Sequence, residues 1–338
     1  MMKTHSIKDV ARIAKVSTAT VSRVINNSNL VDSWTRDRVL KVIKKLDYHP
    51  NLVARSLIRG KSNLLTLIVP PEPNFFSAFY FRQILCGISH SLSKYPYRMM
   101  IYQPEGYDPK LGYPPHLDGF PMDGIFVIAP LLEDRLVKHL EKEKTPVVLI
   151  NARSHVLDWI DLDNVSSARE VVLALSKMGH TRIGFINGLE GYNANARLEG
   201  YKLGLEKSGL SYDPQLVTNG DYSLEKGFTA AKKLLSHSRK PTVIFAANDL
   251  MAIGAIRAAH ELGFSVPREL SIFGFDDSDA ATLSQPQLST VRQPFFEMGE
   301  RATDFLVSRV ENLKLPQKTI ELPGQLVFRQ SSKEKGKN

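Results

Sequence analysis

Along the first fifty residues the apolar positions fall at helical spacing in three short runs. Ile7, Val10, Ala11 and Ala14 make the first, and Ser6 followed three residues on by Asp9 has the form of a capping box, which answers a helix's free N–H groups. Lys15 and Val16 form a turn. Ser17 then caps a second helix, with Thr20 three positions later and Val21, Val24 and Ile25 as its inner side. Left outward are Thr18, Ala19, Ser22, Arg23 and Asn26: small hydrogen-bonding side chains, one guanidinium and no acid. Ser33 is the expected cap of a third helix, with Val39, Val42, Ile43 and Leu46 on one face and Arg36, Arg38, Lys41, Lys44 and Lys45 on the other. Asp47-Tyr48-His49-Pro50 ends it, because the residue before a proline resists helical geometry.

Residues 51–61, N-L-V-A-R-S-L-I-R-G-K, admit one short helix capped by Asn51 and stopped by Gly60. A helix of about nine residues is marginal alone and orders only against something. Val53, Ala54 and Leu57, interleaved with Arg55, Arg59 and Lys61, fit two settings. One is a phosphate backbone, with an apolar side chain entering the minor groove. The other is a linker helix packed on the protein's own body.

Beyond Lys61 the pattern changes. Continuous apolar runs at Leu64–Val69, Gly124–Ala129, Pro146–Ile150, Arg182–Ile186, Thr242–Ala246 and Leu270–Phe275 alternate with helical segments at 164–178, 195–208, 223–235 and 250–261. That alternation predicts parallel sheets covered on both faces. The units are too many for one small sheet, so two similar α/β lobes with a cleft between them fit better. Ligands of such sheets sit beyond the strands' carboxyl ends. Asn151, Arg153, Asn248, Asp249, Asp276 and Asp277 stand there; Arg197 opens a helix after a loop, and Tyr222 follows Gly220-Asp221. Each taken singly reads as a surface pair or a helix cap, but their recurrence at strand ends marks the group as a binding site. Residues 104–121 hold too many Pro and Gly for a continuous helix and read as an irregular surface connection, with a loop bordering the cleft as the other reading.

Charge sharpens the division. The 338 residues carry a net charge of +9, and residues 1–61 hold 13 Lys and Arg against 4 Asp; the remainder carries 31 of each sign. A basic module on a neutral body attracts a polyanion locally without making the whole protein adhesive. Two short helices around a tight turn, the second with small residues at its start, have the helix-turn-helix layout, whose second helix must come close to the major-groove floor. Thr18 and Ala19 can meet base edges, and Arg23 a guanine or a phosphate. The bland reading, hydroxyls serving only as caps and wet surface, leaves the missing acids unexplained.

Cys86 is the one cysteine, which excludes an intrachain disulfide and points to a reducing compartment. No apolar leader segment and no run of 18 apolar residues occurs, so a cytoplasmic protein without a membrane span is expected. Neither dinucleotide nor P-loop glycine motifs, neither H-E-x-x-H nor C-x-x-C, are present, and the nine His residues show no ligand spacing. Catalysis, cofactors and metals are therefore not expected. The carboxylates and Arg197 suit hydrogen bonding to a polyhydroxylated ligand, with Tyr222 or Phe79-Tyr80-Phe81 against an apolar ring face.

Several motifs are recognisable. S-I-K-D-V-A at 6–11, V-S-T-A-T-V-S-R-V-I-N at 16–26 and P-N-L-V-A-R-S-L at 50–57 are specific; the body adds D-N at 163–164, G-H-T-R-I-G-F-I at 179–186, A-N-D-L-M-A-I-G at 247–254, G-F-D-D at 274–277 and L-P-G-Q-L-V-F-R at 322–329. Over nearly its full length the chain resembles the LacI-type family of bacterial transcription regulators. The resemblance implies a homodimer, or a tetramer of dimers, on a pseudo-palindromic double-stranded operator. Thr18 and Ala19 match the family's first base-reading positions, and Ser22, Arg23 and Asn26 contribute base or phosphate contacts. Leu57 matches the leucine wedged into the minor groove when paired hinge helices form, with Ala54 where those helices approach DNA and each other; Arg55, from its charge, stays beside a phosphate backbone. Arg197, Asn248 and Asp276 match effector-binding positions, Tyr222 a sugar-stacking position, and Tyr80-Phe81 the family's paired aromatics. The pattern departs after the first body strand, where P-P-E-P-N-F-F-S-A-F-Y-F is longer than usual, and from Pro104, where proline-rich sequence replaces much of an expected helix.

The expected fold is an all-α helix-turn-helix head followed by two periplasmic-binding-protein-like α/β lobes with parallel sheets. The boundaries read as a head at 1–49, a hinge at 50–61, an effector and dimerisation domain at 62–330 and a polar tail at 331–338. Within the domain, the N-lobe takes about 62–161 with 292–320, and the C-lobe about 162–291 with 321–330. The expected function is a repressor controlled by a sugar or sugar derivative bound by Tyr80, Phe81, Asn151, Arg153, Arg197, Tyr222, Asn248, Asp249 and Asp276. Control by a protein coregulator is the alternative, and a soluble sugar-binding protein the one from another class.

Overall fold

The computed structural model describes residues 5–25, 28–48, 61–70, 75–103, 122–128 and 135–336. It divides into two units, Met1–Ser62 and Asn63–Asn338. In the first, α1 (Ile7–Ala14), α2 (Thr18–Ile25) and α3 (Ser33–Lys45) enclose a small core of Val10, Ala11, Ala14, Val21, Val24 and Val39. The capping pair behaves as expected: Ser6 donates to Asp9 Oδ2 from its N–H (3.0 Å) and its hydroxyl (2.8 Å). At the tight turn Lys15 takes a left-handed conformation (φ 52°), and the Thr20 N–H then donates to Ser17 Oγ (3.1 Å). One expectation is corrected. Asp32, not Ser33, caps α3, its Oδ1 accepting from the Thr35 N–H at 2.8 Å. A carboxylate answers both the free N–H groups and the positive end of the helix dipole, whereas a hydroxyl answers only the former.

The second unit contains, in chain order, β1 (Leu64–Ile68), α4 (Phe79–Leu92), β2 (Arg98–Tyr102), β3 (Gly124–Ile128), α5 (Arg135–Leu140), β4 (Val147–Ile150), β5 (Asp158–Leu162) and α6 (Asn164–Lys177). There follow β6 (Ile183–Asn187), α7 (Tyr192–Lys207), β7 (Val217–Asn219), α8 (Leu224–Leu235), β8 (Val243–Ala246), α9 (Asp249–Glu261) and β9 (Ser271–Phe273). The chain closes with α10 (Asp279–Leu283), β10 (Thr290–Arg292), α11 (Phe295–Glu311), β11 (Thr319–Leu322) and β12 (Gln325–Val327). Among the described residues the N-lobe sheet runs β11-β5-β4-β3-β1-β2 and the C-lobe sheet β7-β6-β8-β9, every pairing parallel. The apolar strands are buried along nearly their whole length, as two-sided coverage requires.

Among the described residues the chain passes between the lobes three times: from β5 into α6, from β10 into α11, and from β11 into β12. β10 pairs antiparallel with β12 and bridges to the residues around β9 on the C-lobe side. α11 instead packs on α4 and on β3, β4 and β5 of the N-lobe. Its contact with α4 is backbone to backbone. A Cβ on Gly87 would overlap the carbonyl of Phe296, and one on Gly299 the carbonyl of Ile84, so only glycine permits this approach. Ser331 and Ser332, at the start of the expected polar tail, are buried. Ser331 is fully buried, its hydroxyl donating to the Ile272 carbonyl at 2.7 Å, which ties the segment to the C-lobe sheet. No described helix is long and apolar enough to cross a membrane.

Candidate functional site

The exposed face of α2 carries Thr18, Ala19 and Arg23, with Ser22 half-buried behind them, and its first turn has no acid. Arg36 donates to the Ser28 carbonyl at 2.6 Å, pinning the turn after α2 to α3. Asn26, Ala54, Arg55 and Leu57, and the segment 104–121, lie outside the described residues.

In the body the parallel strands bring their carboxyl ends to one edge, where the two lobes face each other. Arg197, one turn into α7, is 4% exposed. Its Nε donates to Asn164 Oδ1 (2.8 Å) and its Nη1 to the Ala247 carbonyl (2.6 Å), and the guanidinium lies 4.1 Å over the Phe275 ring. Asn248 caps α9 by accepting from the Met251 N–H (2.9 Å), while its Nδ2 donates to the Tyr222 carbonyl (3.0 Å). Tyr222 is held with φ 69° against Gly188, where any side chain would collide with its ring. Asp276 completes the wall with φ 141°, a conformation that L residues rarely adopt. Burial and the neighbouring Asp249 push its carboxyl up to about 8, against the opposite pull of Arg197. Burial likewise raises the Tyr222 phenol, with Arg197 and Asp276 acting on it in opposite senses. Arg197, Tyr222, Asn248 and Asp276 therefore form one group.

Other expected members are placed differently. Asp249 is fully buried; its Oδ2 accepts from the N–H and hydroxyl of Ser278 (2.7 and 2.8 Å), and its Oδ1 from Thr290 (2.5 Å). Fully buried and bonded at both oxygens, it shapes the 276–278 loop from behind. Arg153 is committed as well, donating to the buried Asp161 (3.0 Å) and pairing with Glu321, with its guanidinium between the rings of Trp159 and Tyr192. Phe81 belongs to the N-lobe core at 1% exposure, its ring 5.0 Å from that of Phe75. Tyr80 stays half-buried in the first turn of α4, edge-on to Phe75 and tilted against Phe295. Asp277 serves Arg292 and Arg329, at 2.6 Å each.

Asn151 links the lobes. Its Oδ1 accepts from Asn193 Nδ2 (3.2 Å), Asn193 Oδ1 accepts from Asn164 Nδ2 (3.3 Å), and Asn164 receives Arg197. A second tie joins Arg82 of α4 to Asp279 of α10 at 2.8 Å. Asn164, Asn193 and Gln293, whose Nε2 donates to Asp276 Oδ1 at 2.6 Å, were not among the expected site residues. For Asn193 a signal exists, since it stands four residues before Arg197 and hence on the same helix face. A C-lobe depression of about 400 Å³ beside Arg182, Tyr201 and Asp213 opens at the amino end of β6, the edge opposite this group.

The geometry is matched by what the chain is similar to. The family of bacterial regulatory proteins of lacI type matches residues 6–51, and the periplasmic binding protein-like domain matches residues 172–332. Catabolite control protein A of Priestia megaterium is 34% identical over 333 residues, covering 97% of this chain and 99% of its own. The transcriptional regulator CelR, solved as a complex with cellobiose, has a TM-score of 0.74 at 30% identity, covering 97% of this chain and all of its own. The lac repressor dimer bound to operator and the anti-inducer ONPF has a TM-score of 0.86 at 26% identity, with 98% and 99% covered.

Proposed function

Because the chain belongs to the LacI family of bacterial regulatory proteins, which are transcriptional regulators and not enzymes, we propose a sequence-specific repressor whose operator affinity is set by a carbohydrate-like effector in the interlobe cleft. The convergence of Arg197, Tyr222, Asn248 and Asp276 at the strand ends carries this reading. A guanidinium, an amide and a carboxyl around a phenol ring suit a ligand with many hydroxyls and an apolar ring face. Thr18, Ala19, Ser22, Arg23 and Asn26 read the major groove, and Ala54, Arg55 and Leu57 engage the minor groove at the operator centre. The chain acts as a homodimer on a pseudo-palindromic site. Support comes from the dimeric lac repressor and from Leu250 and Leu283 on α9 and α10, which are 46% and 80% exposed.

Effector binding shifts the equilibrium between two lobe arrangements, and the arrangement fixes the spacing of the two hinge segments across the dimer. Operator binding followed while cellobiose, D-glucose, D-ribose and adenosine are titrated in tests the proposal. At least one is expected to change operator affinity, and Arg197→Ala to abolish that response while leaving ligand-free operator binding within about threefold. A response to a protein coregulator, with none to any of the four, would replace the small-molecule reading.

A further inference from the structure

The C-lobe depression at the amino end of β6 has no part in the effector group. It encloses about 400 Å³, within the range of about 300–1,000 Å³ of small-molecule sites, and it meets α7 at Leu205, about two turns and 12 Å beyond Arg197. Its wall has two kinds of chemistry. Leu205, Leu210 and Leu216 supply an apolar side, and the rim is open at Gly209, where an added side-chain carbon would meet nothing within 4 Å. Arg182 and Arg239 stand on the polar side with one carboxylate, Asp213. The bonding of Arg182 is incomplete. Its Nη2 donates to the Arg239 carbonyl at 2.5 Å, but Asp213 Oδ2 lies 3.8 Å away, beyond hydrogen-bond reach, and Asp213 Oδ1 accepts from the Gln215 N–H at 3.0 Å. The Arg182 Nε is buried and has no hydrogen-bond partner among the described residues. Buried N–H groups in folded proteins are almost always paired, so this one, on the wall of a depression, is a donor directed to an acceptor that the protein does not supply.

The surroundings narrow the ligand's chemistry. Two guanidinium groups against one carboxylate leave an excess of positive charge, which favours an anionic acceptor, and the leucines favour an apolar body attached to it. We infer that the depression binds a small organic carboxylate, its oxygens accepting from the Arg182 Nε–H and its apolar part lying along Leu205, Leu210 and Leu216. The Arg182 side chain is 27% exposed and Asp213 holds it only loosely, so a small turn of the guanidinium brings the Nε–H to the ligand. An inorganic anion gains nothing from the leucines, and a neutral ligand gains nothing from the charge. The site is separate from the effector group and does not rest on the effector reading.

The test is calorimetric titration of the full chain with benzoate and 4-methylpentanoate, with benzamide as an uncharged counterpart and inorganic phosphate as an anion without an apolar body. At least one of the two carboxylates is expected to bind with a Kd below about 1 mM, and benzamide and phosphate at least tenfold more weakly. Arg182→Met, which keeps an apolar stem and removes the guanidinium, is expected to weaken that carboxylate at least tenfold. Ser211→Asp places a negative charge on the exposed rim of the depression and is expected to do the same. Because Ser211 is at the surface, this second variant decides the matter should the first fail to fold. A carboxylate held equally well by the wild type and by either folded variant is seated elsewhere and overturns the inference. So does a chain that binds neither carboxylate, or one that binds benzamide or phosphate as tightly as the better of the two.

Discussion

Asp276 combines an unusual backbone with an unusual acidity, and both follow from where the fold puts it. The residue closes a loop over the start of α9, beside the buried carboxylate of Asp249, so a second negative charge there is opposed twice, by burial and by its neighbour. Its folded value of about 8 stands above the ordinary 3.8, so the folded chain holds a proton that the unfolded chain releases. The stability this contributes is complete below about pH 3.8 and is lost as the pH rises towards 8. Urea unfolding at pH 5, 6.5 and 8 should therefore give a declining unfolding free energy, and Asp276→Asn should flatten the decline. Equal slopes in both proteins would contradict the raised acidity. The same residue illustrates what could be seen in advance. Arg197, at the opening of a helix, and Asn248 and Asp276, at strand ends, stood out as polar groups, and so did Arg153 and Asp249. The first three face the group described; the other two are consumed by Asp161 and Glu321, and by Ser278 and Thr290. Residue type and position alone do not show which partners distant in sequence each of these side chains will take.

Elements were legible where one period dominated. The three head helices and the strands at 64–68, 124–128, 147–150, 183–187 and 243–246 lie within a residue or two of their expected places, because each is buried on a single stripe or along its full length. β2, an edge strand reading R-M-M-I-Y, has neither strict alternation nor a continuous buried run, and three-residue strands such as β7, β10 and β12 are too short to show a period. α4 and α11 escaped for a different reason. Each hides part of its face against the other through glycine, so the expected apolar residue is missing where the packing is closest. That closeness makes a sharp prediction. Gly87→Ala should force α4 from α11 and destabilise the body by about 1–3 kcal/mol, as overpacking of a tight contact does. Thermal unfolding followed at the body's aromatic residues would register the loss, while the head's transition should not move. An unchanged body transition would mean that the two helices separate freely.

For the whole molecule, the separation of charge parallels the separation of structure. The boundary at Ser62 and Asn63 falls where the net +9 of the head gives way to a body with 31 charges of each sign. That division was readable from composition because the electrostatic demand of a polyanion is met by numbers of Lys and Arg and needs no particular geometry. Sugar recognition needs a few groups at fixed distances, which is why the body's site could be located but not assembled from sequence. If the two demands are met by separate units, they can be separated by cutting the chain. A fragment of residues 63–338 should retain the effector affinity of the intact protein, since Arg197, Tyr222, Asn248, Asp276 and Gln293 all belong to it, and should fail to retard random duplex DNA even at 50 mM salt. The intact chain should retard it at that salt and release it progressively by 200 mM, with the logarithm of affinity falling linearly against the logarithm of salt, as counterion release requires. Gel retardation with both proteins across that range gives the answer directly. DNA binding by the fragment would place part of the polyanion surface on a body whose net charge gives it no electrostatic reason to be there.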